Sequence, residues 1–137
     1  MKNHIVQLTL EREVTTPKGE IKRKQETYLA QHIEVLSQAE QRALELYNGD
    51  CDVNTIKRLP ESYKEIVNEQ EDKPFFRATV VETSMDDEGE EKELKYNLFV
   101  RASDLTEAHT IMQDHLAQGL EDMRLDSLVK TKIVDLL

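Results

Sequence analysis

The best-patterned stretch of the chain runs from Leu94 to Val134 and opens with Leu94-Lys95-Tyr96-Asn97-Leu98-Phe99-Val100-Arg101-Ala102. Apolar and polar residues alternate through its first part, as they do in a strand with one buried face. From Leu105 to Leu116 the apolar residues recur at helical spacing, and a last apolar run ends at Val134. We therefore predict a strand, a helix and a strand in this order.

A weaker copy of this pattern lies about seventy residues upstream. Two pairs of glycines, Gly19 with Gly89 and Gly49 with Gly119, stand at the same offset of 70 residues. The spacing predicts an internal duplication, with one repeat over residues 1–70 and the other over 71–137 of a single domain, 1–137. We expect an α+β fold in which two β-β-α-β repeats form a mostly antiparallel sheet, with one helix per repeat packed on it.

Local residues predict where the helices begin and end. Ser37 and Glu40 have the spacing of a capping box for the first helix, and Thr106 is the expected cap of the second. Gly49 is expected to end the first helix in a left-handed conformation. The apolar residues within 63–67 predict a strand that returns after the helix of the first repeat.

The charge distribution excludes one class of function. The formal net charge is −10 over 137 residues. Residues 1–70 hold 10 basic and 12 acidic side chains, a net of −2, whereas residues 71–137 hold 8 and 16, a net of −8. A protein that binds nucleic acid through phosphate contacts needs a basic surface, so we expect no direct nucleic-acid partner.

Cysteine content and hydropathy bear on the compartment. A single cysteine, Cys51, allows no internal disulfide and suits a reducing compartment. No apolar run approaches the roughly 18 residues of a membrane span, and the first residues lack the apolar segment of a signal peptide. The sequence predicts a cytoplasmic protein with no membrane partner.

Catalytic and metal motifs are not recognisable in the sequence. The four histidines are His4, His32, His109 and His115, and the last two are six residues apart, which does not put both on one helix face. Cys51 stands between two aspartates, which raise a thiol pKa. The sequence has no nucleophile elbow and no glycine-rich phosphate loop. We expect no enzyme, no metal and no cofactor.

One strand face is a candidate ligand site. Asn97, Phe99 and Arg101 share a face of the strand that precedes the second helix, and we take Tyr28 and His32 as their counterparts in the first repeat. An aromatic ring beside arginine suits a ring that carries a phosphate, and it equally suits an ordinary interface strand.

Two charged runs are further candidates. The basic run Lys22-Arg23-Lys24 is consistent with a solvated strand face, with a contact to the acidic hairpin of the other repeat or to a partner, or with a phosphate-bearing ligand. The acidic turn is consistent with a solvated hairpin tip or with a surface that meets a basic partner. Its candidate residues are Asp86, Asp87, Glu88 and Glu90.

The chain also resembles a known family. The resemblance is carried by Glu26–Leu29, Ser37–Glu40, Ile56–Arg58, Tyr63–Ile66, Glu91–Lys92, Leu98–Leu105 and Thr131–Asp135. On these residues the chain is similar to a family of short proteins of Bacteroidota genomes and their phages, catalogued only as a domain of unknown function. The resemblance implies a phage or mobile-element context and supplies no catalytic or binding residues.

These observations together favour a non-enzymatic binding protein. We expect it to capture a host protein or a small nucleotide-type signalling molecule, as a counter-defence protein of a phage or mobile element. The alternatives are an acidic mimic of nucleic acid that inhibits a DNA- or RNA-binding enzyme, and a virion or assembly component. A homo-oligomer is compatible with the sequence.

Overall fold

A computed structural model of the chain describes residues 5–119 and 122–137. The elements follow one another as β1 (Val6–Thr15), β2 (Ile21–Ala30), α1 (Leu36–Leu46), β3 (Asp52–Arg58), β4 (Tyr63–Val67), β5 (Phe75–Met85), β6 (Glu91–Arg101), α2 (Leu105–Ala117), β7 (Asp122–Lys130) and β8 (Ile133–Leu136). The α+β class and the two similar halves with one helix each are confirmed. Each half contributes four strands, where the sequence predicted three.

Two long hairpins are the centre of the fold. The strands of the first, β1 and β2, pair from Val6 opposite Ala30 out to Thr15 opposite Ile21. In the second hairpin β5 and β6 pair in the same antiparallel way. The turns contain Gly19 and Gly89 with φ of 83° and 81°, a conformation that glycine adopts without steric cost. Each hairpin is therefore specified by its own turn and by the period-two pattern of its strands.

Each helix covers one face of a hairpin. The even-numbered residues of β2 pack with α1, and the even-numbered residues of β6 pack with α2. The small residues Ala39 and Ala43 face the sheet from α1, while Ala108 and Met112 do so from α2, and all four are fully buried. These contacts form one apolar core in each half.

The last strand of each half lies in the sheet of the other half. The two sheets have the strand orders β3-β1-β2-β8 and β4-β6-β5-β7. The strand predicted within residues 63–67 is present as β4, but it pairs in parallel with β6, and β8 pairs in parallel with β2. The compact units are accordingly the residues up to Pro60 with Lys132–Leu137 (the first unit) and Glu61–Thr131 (the second unit). The repeat boundaries 1–70 and 71–137 stay a prediction, because a repeat is a continuous stretch of sequence, whereas a compact unit is defined by contacts in space.

The helix caps differ from those predicted. The helix α1 begins at Leu36, and the side chain of Gln38 accepts hydrogen bonds from the backbone N–H groups of Glu34 (2.9 Å) and Val35 (3.2 Å). The predicted capping box of Ser37 and Glu40 is therefore wrong by two positions.

The cap predicted for the second helix is wrong by two residues. At α2 the cap is Asp104, not Thr106, and its Oδ1 accepts a hydrogen bond from Glu107 N at 2.8 Å. A carboxylate at this position also interacts favourably with the positive end of the helix dipole. After α1 the chain takes left-handed conformations at Asn48 and Gly49, as expected for a helix that glycine ends.

Neither α1 nor α2, the helices of the described residues, is long and apolar enough to cross a membrane.

Candidate functional site

A cavity of about 630 Å³ opens in the second unit at the C-terminal end of α2. We call it the α2 pocket. Its volume lies within the range of roughly 300–1,000 Å³ that is typical of small-molecule sites. Its walls come from β4, β5, β6, the end of α2 and the start of β7. They are formed by Ser62, Lys64, Glu65, Glu82, Leu94, Lys95, Tyr96, Leu98, His115, Leu116, Gln118, Gly119 and Met123.

The inner wall of the α2 pocket is apolar. Leu98 on β6 and Leu116 on α2 are buried, and both belong to the core beneath the helix. Tyr96 and Met123 are half-buried beside them, and the Tyr96 hydroxyl contacts the Met123 sulfur. An apolar inner wall of this kind suits the hydrophobic body of a ligand, because burial of such a body removes apolar surface from water.

Charged side chains line the outer part of the pocket. His115 Nε2 on α2 lies 2.7 Å from Glu65 Oε1 on β4. These two groups therefore join the helix to β4, the exchanged strand, which comes from the first half of the chain and lies in the sheet of the second. Lys64 and Lys95 are exposed, and alternation along β6 places the Lys95 side chain on the sheet face opposite to Tyr96 and Leu98. The charge of Lys95 is felt by Glu93, whose pKa is lowered first by Arg124 and also by this lysine.

The strand registers show which residues of the first unit occupy the same positions. Counted back from the glycine of each hairpin turn, Leu10 matches Val80. Leu10 pairs with Glu26 and Val80 with Tyr96, so Glu26 stands where the second unit has Tyr96. By the same register and by alignment of the helix starts, Arg12 matches Glu82, Tyr28 matches Leu98, and Tyr47 matches Leu116.

In the first unit a polar network fills these positions. Arg12 forms a salt bridge with the buried Glu26, and its guanidinium carbon lies 4.8 Å from the centre of the Tyr47 ring. The hydroxyls of Tyr28 and Tyr47 contact each other, and each lies 3.3 Å from Glu26 Oε1. The first-unit counterparts of four pocket residues thus contact one another in a polar network, and one of them, Arg12, also lines the smaller cavity described below.

The network changes the ionisation of its members. Burial acts to raise the pKa of Glu26, but the hydrogen bond and charge of Arg12 lower it below its usual value on balance. The pKa of Tyr28 is strongly raised, first by burial and then by its hydrogen bond with Tyr47. Glu26 is therefore an ionised carboxylate held inside the unit by Arg12, and Tyr28 stays a neutral donor.

A second cavity, of about 490 Å³, lies on the first unit and is mainly polar. Arg23 and Cys51 are among its lining residues. The pKa of the Cys51 thiol is raised, first by burial and then by Asp52 and Asp50. This direction agrees with the sequence prediction that the cysteine is a poor nucleophile.

Arg101, a predicted ligand residue, is engaged within the fold. Its side chain is 5% exposed, and its Nε donates a hydrogen bond of 2.9 Å to the carbonyl oxygen of Lys73. A second nitrogen lies 3.4 Å from the carbonyl oxygen of Glu69, and the guanidinium stacks at 4.4 Å from the centre of the Phe75 ring. These contacts hold the segment between β4 and β5 against the end of β6.

Phe99 and Asn97 lie on the same face of β6 as Arg101, as the alternation predicted. Phe99 is buried and stacks on Tyr63 with 5.5 Å between the ring centres. Asn97 Oδ1 accepts a hydrogen bond of 3.0 Å from the Thr79 hydroxyl on the neighbouring strand.

The counterparts predicted for this face in the first unit occupy different places. Tyr28 belongs to the core under α1, on the opposite sheet face, because it matches Leu98 and not Phe99. His32 is exposed, with a left-handed φ of 60°, between β2 and α1. The structure therefore does not bring the five residues of the predicted strand-face site together on matching faces. Whether any of them binds a ligand stays a prediction.

The basic run on β2 is paired with carboxylates of its own unit. The ion pairs join Lys22 to Glu20 (3.9 Å), Arg23 to Glu11 (3.2 Å) and Asp52 (2.5 Å), and Lys24 to Glu26 (4.0 Å). Arg23 also lines the smaller of the two cavities.

The acidic turn combines one structural carboxylate with several exposed ones. Asp86 Oδ1 accepts hydrogen bonds from the backbone N–H groups of Glu88 (2.9 Å) and Glu90 (2.8 Å), so Asp86 holds the turn. Asp87, Glu88 and Glu90 are exposed. These three side chains are the part of the acidic turn that remains available to a partner.

No cluster of three or more metal-ligating side chains occurs within residues 5–119 and 122–137. His115 pairs with Glu65, as described above. His4, the first of the four histidines, lies outside the described residues.

Sequence reasoning missed the residues that line the α2 pocket, because they come from five elements and form no local motif. One signal could have found them. A position-by-position comparison of the two halves shows large changes of character at Arg12 and Glu82, and at Glu26 and Tyr96. Such differences at core-facing positions mark a place where the two halves do different things.

Comparisons with known proteins identify a family without a described activity. No curated protein and no solved structure matches the chain significantly. The family described as "Domain of unknown function (DUF4494)" matches residues 7–137, and since this match spans nearly the whole chain, the protein belongs to that family.

Proposed function

We propose that this chain is a non-enzymatic binding protein that captures a small molecule in the α2 pocket. The observation that carries the proposal is the contrast between the units. At equivalent positions one unit has the polar Arg12–Glu26 network, whereas the other encloses a cavity of about 630 Å³ with an apolar inner wall. An open apolar cavity with a few polar groups at its mouth is the usual form of a ligand site.

A ligand would contact both core residues and charged residues of the α2 pocket. Its body would lie against Leu98 and Leu116, which the core holds in place, so the inner wall needs no rearrangement to bind. Its polar end would lie near His115 and Glu65 at the mouth. We expect capture of the ligand and release of the same molecule, because the sequence contains no recognisable catalytic motif.

The test blocks the pocket without touching the core. Leu94 lines the pocket and is 56% exposed, so Leu94→Trp adds bulk at the mouth and leaves the core unchanged. Ile21→Trp is the matched control, since Ile21 is an apolar strand residue, 70% exposed, on the hairpin of the other unit. Each protein is incubated with bacterial extract, washed and denatured, and the released small molecules are identified by mass spectrometry.

We expect a molecule that is enriched by the native chain and by the Ile21 variant and lost with Leu94→Trp. Equal enrichment by all three proteins would contradict the proposal. Titration calorimetry with a panel of nucleotide signals then measures affinity, and conversion of the ligand during incubation would refute the non-enzymatic part.

An acidic mimic of nucleic acid is the second candidate, and one observation favours it. Asp87, Glu88, Glu90 and Glu91 are exposed on the second hairpin and make no salt bridge in the described part of the chain. Binding of a basic enzyme to this hairpin should weaken steeply as salt rises. Replacement of the four by their amides should abolish the inhibition, and unchanged inhibition would exclude this candidate.

A phage or mobile-element origin, a cytoplasmic location, a virion role and an action against host defence belong to the proposal as well. They are supported by the family resemblance and by the acidic, single-cysteine composition. Gene neighbourhoods of family members test the origin, and mass spectrometry of purified particles tests the virion role.

A further inference from the structure

We infer that the α2 pocket takes an amphipathic organic cation, whose positive group binds beside Glu65, Glu82 and the ring of Tyr96. The inference rests on the proposed function, because it names the class of molecule that the same pocket captures. Three observations carry it: the charge of the second unit, the placement of the two carboxylates on the wall, and the cation at the matching positions of the first unit.

The net charge of the chain belongs to the unit that has the α2 pocket. Residues 61–131 hold 8 basic and 18 acidic side chains, a net of −10, whereas residues 1–60 and 132–137 together hold 10 of each, a net of zero. A negative field raises the local concentration of cations and lowers that of anions, and a cleft with apolar walls focuses this field. The second unit therefore favours a positively charged ligand.

The two carboxylates of the wall lie on the same sheet face as its apolar residues. Glu82 on β5 pairs with Leu94, and Glu65 on β4 pairs with Leu98. Tyr96 lies midway between these two partners on β6, so the carboxylates belong to the strands on either side of it. A cation over the Tyr96 ring would thus be attracted by the ring and by both carboxylates.

The two lysines near the wall leave this arrangement acidic. Lys95 projects from the sheet face opposite to Tyr96, and Lys64 is exposed, so water solvates its charge. Glu65 already contacts His115, and Glu82 has a partner as well. Because the two oxygens of a carboxylate have about four acceptor sites, a ligand cation can bind without displacing these partners.

The matching positions of the first unit already contain a cation. The guanidinium of Arg12 pairs with Glu26 and lies 4.8 Å from the centre of the Tyr47 ring. At the positions of Arg12 and Glu26 the second unit has Glu82 and Tyr96. It therefore keeps a carboxylate and an aromatic ring at this place without the basic side chain, and a ligand cation would supply that charge.

The apolar inner wall sets the other end of the ligand. Leu98, Leu116 and Met123 offer a surface for a ring or an aliphatic chain. A charged group buried among these side chains would lose its hydration without a partner. The ligand is therefore amphipathic, with its positive charge at the carboxylates.

The experiment compares three small molecules that share an indole ring and differ in charge. Tryptamine is the cation, tryptophol is uncharged, and indole-3-propionate is the anion. Each displaces the uncharged fluorescent reporter N-phenyl-1-naphthylamine from the full chain. The same titrations use Glu65→Gln/Glu82→Gln and the control Glu71→Gln/Asp126→Asn, which removes two exposed carboxylates of the same unit that do not line the pocket. Circular dichroism verifies that each variant is folded.

We expect tryptamine to bind the native chain at least about tenfold more tightly than tryptophol, and indole-3-propionate to bind more weakly than both. Glu65→Gln/Glu82→Gln should remove this advantage of tryptamine and change the affinity for tryptophol by less than about twofold. The control should behave like the native chain, although it loses the same formal charge. Added salt should weaken the binding of tryptamine and leave that of tryptophol unchanged.

Equal or tighter binding of indole-3-propionate would overturn the cation assignment and leave the pocket proposal standing. An equal loss of tryptamine affinity in the control would overturn the assignment of the charge to Glu65 and Glu82. If the reporter does not bind the native chain, or binds Leu94→Trp normally, the pocket proposal itself fails and the cation assignment with it.

The molecule captured from bacterial extract gives an independent test of the class. It should carry an amine, a guanidinium or a quaternary ammonium group and should be lost with Glu65→Gln/Glu82→Gln as well as with Leu94→Trp. A captured anion, such as a nucleotide, that is lost only with Leu94→Trp would refute the cation assignment and support the proposed function.

Discussion

Among residues 5–119 and 122–137, two charged side chains, Glu26 and Arg101, are almost completely buried, and different surroundings compensate each. Glu26 keeps its charge because Arg12 and two tyrosine hydroxyls surround it. The guanidinium of Arg101 donates to backbone carbonyls, lies against an aromatic face and forms an ion pair of 3.6 Å with the exposed Asp72. The sequence marked Arg101 as a ligand residue because arginine beside an aromatic ring has the same pattern in a binding site and in a structural clamp.

The Glu26 network leads to a prediction about pH. Because the folded pKa of Glu26 is lowered, its ionised form contributes stability that is present above the unfolded pKa of about 4.3 and is lost as pH falls through the folded pKa. Glu26→Gln should lower the free energy of unfolding at pH 7 by about 1–3 kcal/mol. The difference from the native chain should shrink below about pH 4. Urea denaturation at a series of pH values measures it.

Arg12→Met should destabilise the chain more than Glu26→Gln does, because it leaves a buried carboxylate without its counter-charge. Glu93→Gln is the control, since Glu93 forms an exposed pair with Arg124 at 2.9 Å. Salt should screen most of the effect of this control. A loss at Glu26 that is independent of pH would contradict the assigned role of its charge.

At the scale of elements, hairpins and helices could be predicted from the sequence, and the exchange of β4 and β8 could not. A hairpin is specified by a turn of a few residues, as at Gly19 and Gly89, and by alternation in the two adjacent strands. The pattern within 63–67 indicates a strand but does not specify its partner, since a parallel pairing has no turn of its own. The register of β4 also shifts between Tyr63 and Glu65, which disturbs the alternation.

The exchange predicts that the last five residues stabilise the first unit. Leu137 N donates a hydrogen bond of 2.7 Å to Leu29 O, and β8 covers the edge of β2. Deletion of 133–137 should therefore expose the backbone N–H groups of β2 and leave those of β5 and β6 protected. Hydrogen exchange measured by mass spectrometry reports both units at once.

Val134→Thr is the matched control for this deletion, because Val134 is exposed on β8 and its replacement keeps the strand. It should leave the protection of β2 close to that of the native chain. Faster exchange throughout β5 and β6 after the deletion would show that the effect is not confined to the first unit, contrary to the prediction.

For the whole molecule, the candidate pocket became recognisable only when the two halves could be compared position by position. The fold class follows from local patterns, which repeat in both halves. The pocket depends on departures from the repeat, such as Tyr47 against Leu116, which the sequence shows as differences and the observed structure brings to one site. Side chains from five elements then converge, as no spacing along the chain indicates.

The division of the chain into units gives a last prediction. The fragment 61–131 contains β4, β5, β6, α2 and β7, which is a complete sheet with its helix. The fragment 71–137 follows the repeat boundary instead, so it lacks β4 and carries β8 without the strand that β8 pairs with. It should leave the backbone groups of β6 at an open edge, where their hydrogen bonds with β4 are lost. We expect 61–131 to have the higher helix and strand content by circular dichroism and the more cooperative thermal transition, although the two fragments differ in length by only a few residues.

The α2 pocket should likewise be complete only in 61–131, because Lys64 and Glu65 belong to its wall and are absent from 71–137. If 71–137 is folded to the same degree and captures the same small molecule equally well, then β4 is dispensable for the second unit and completes neither the sheet nor the site.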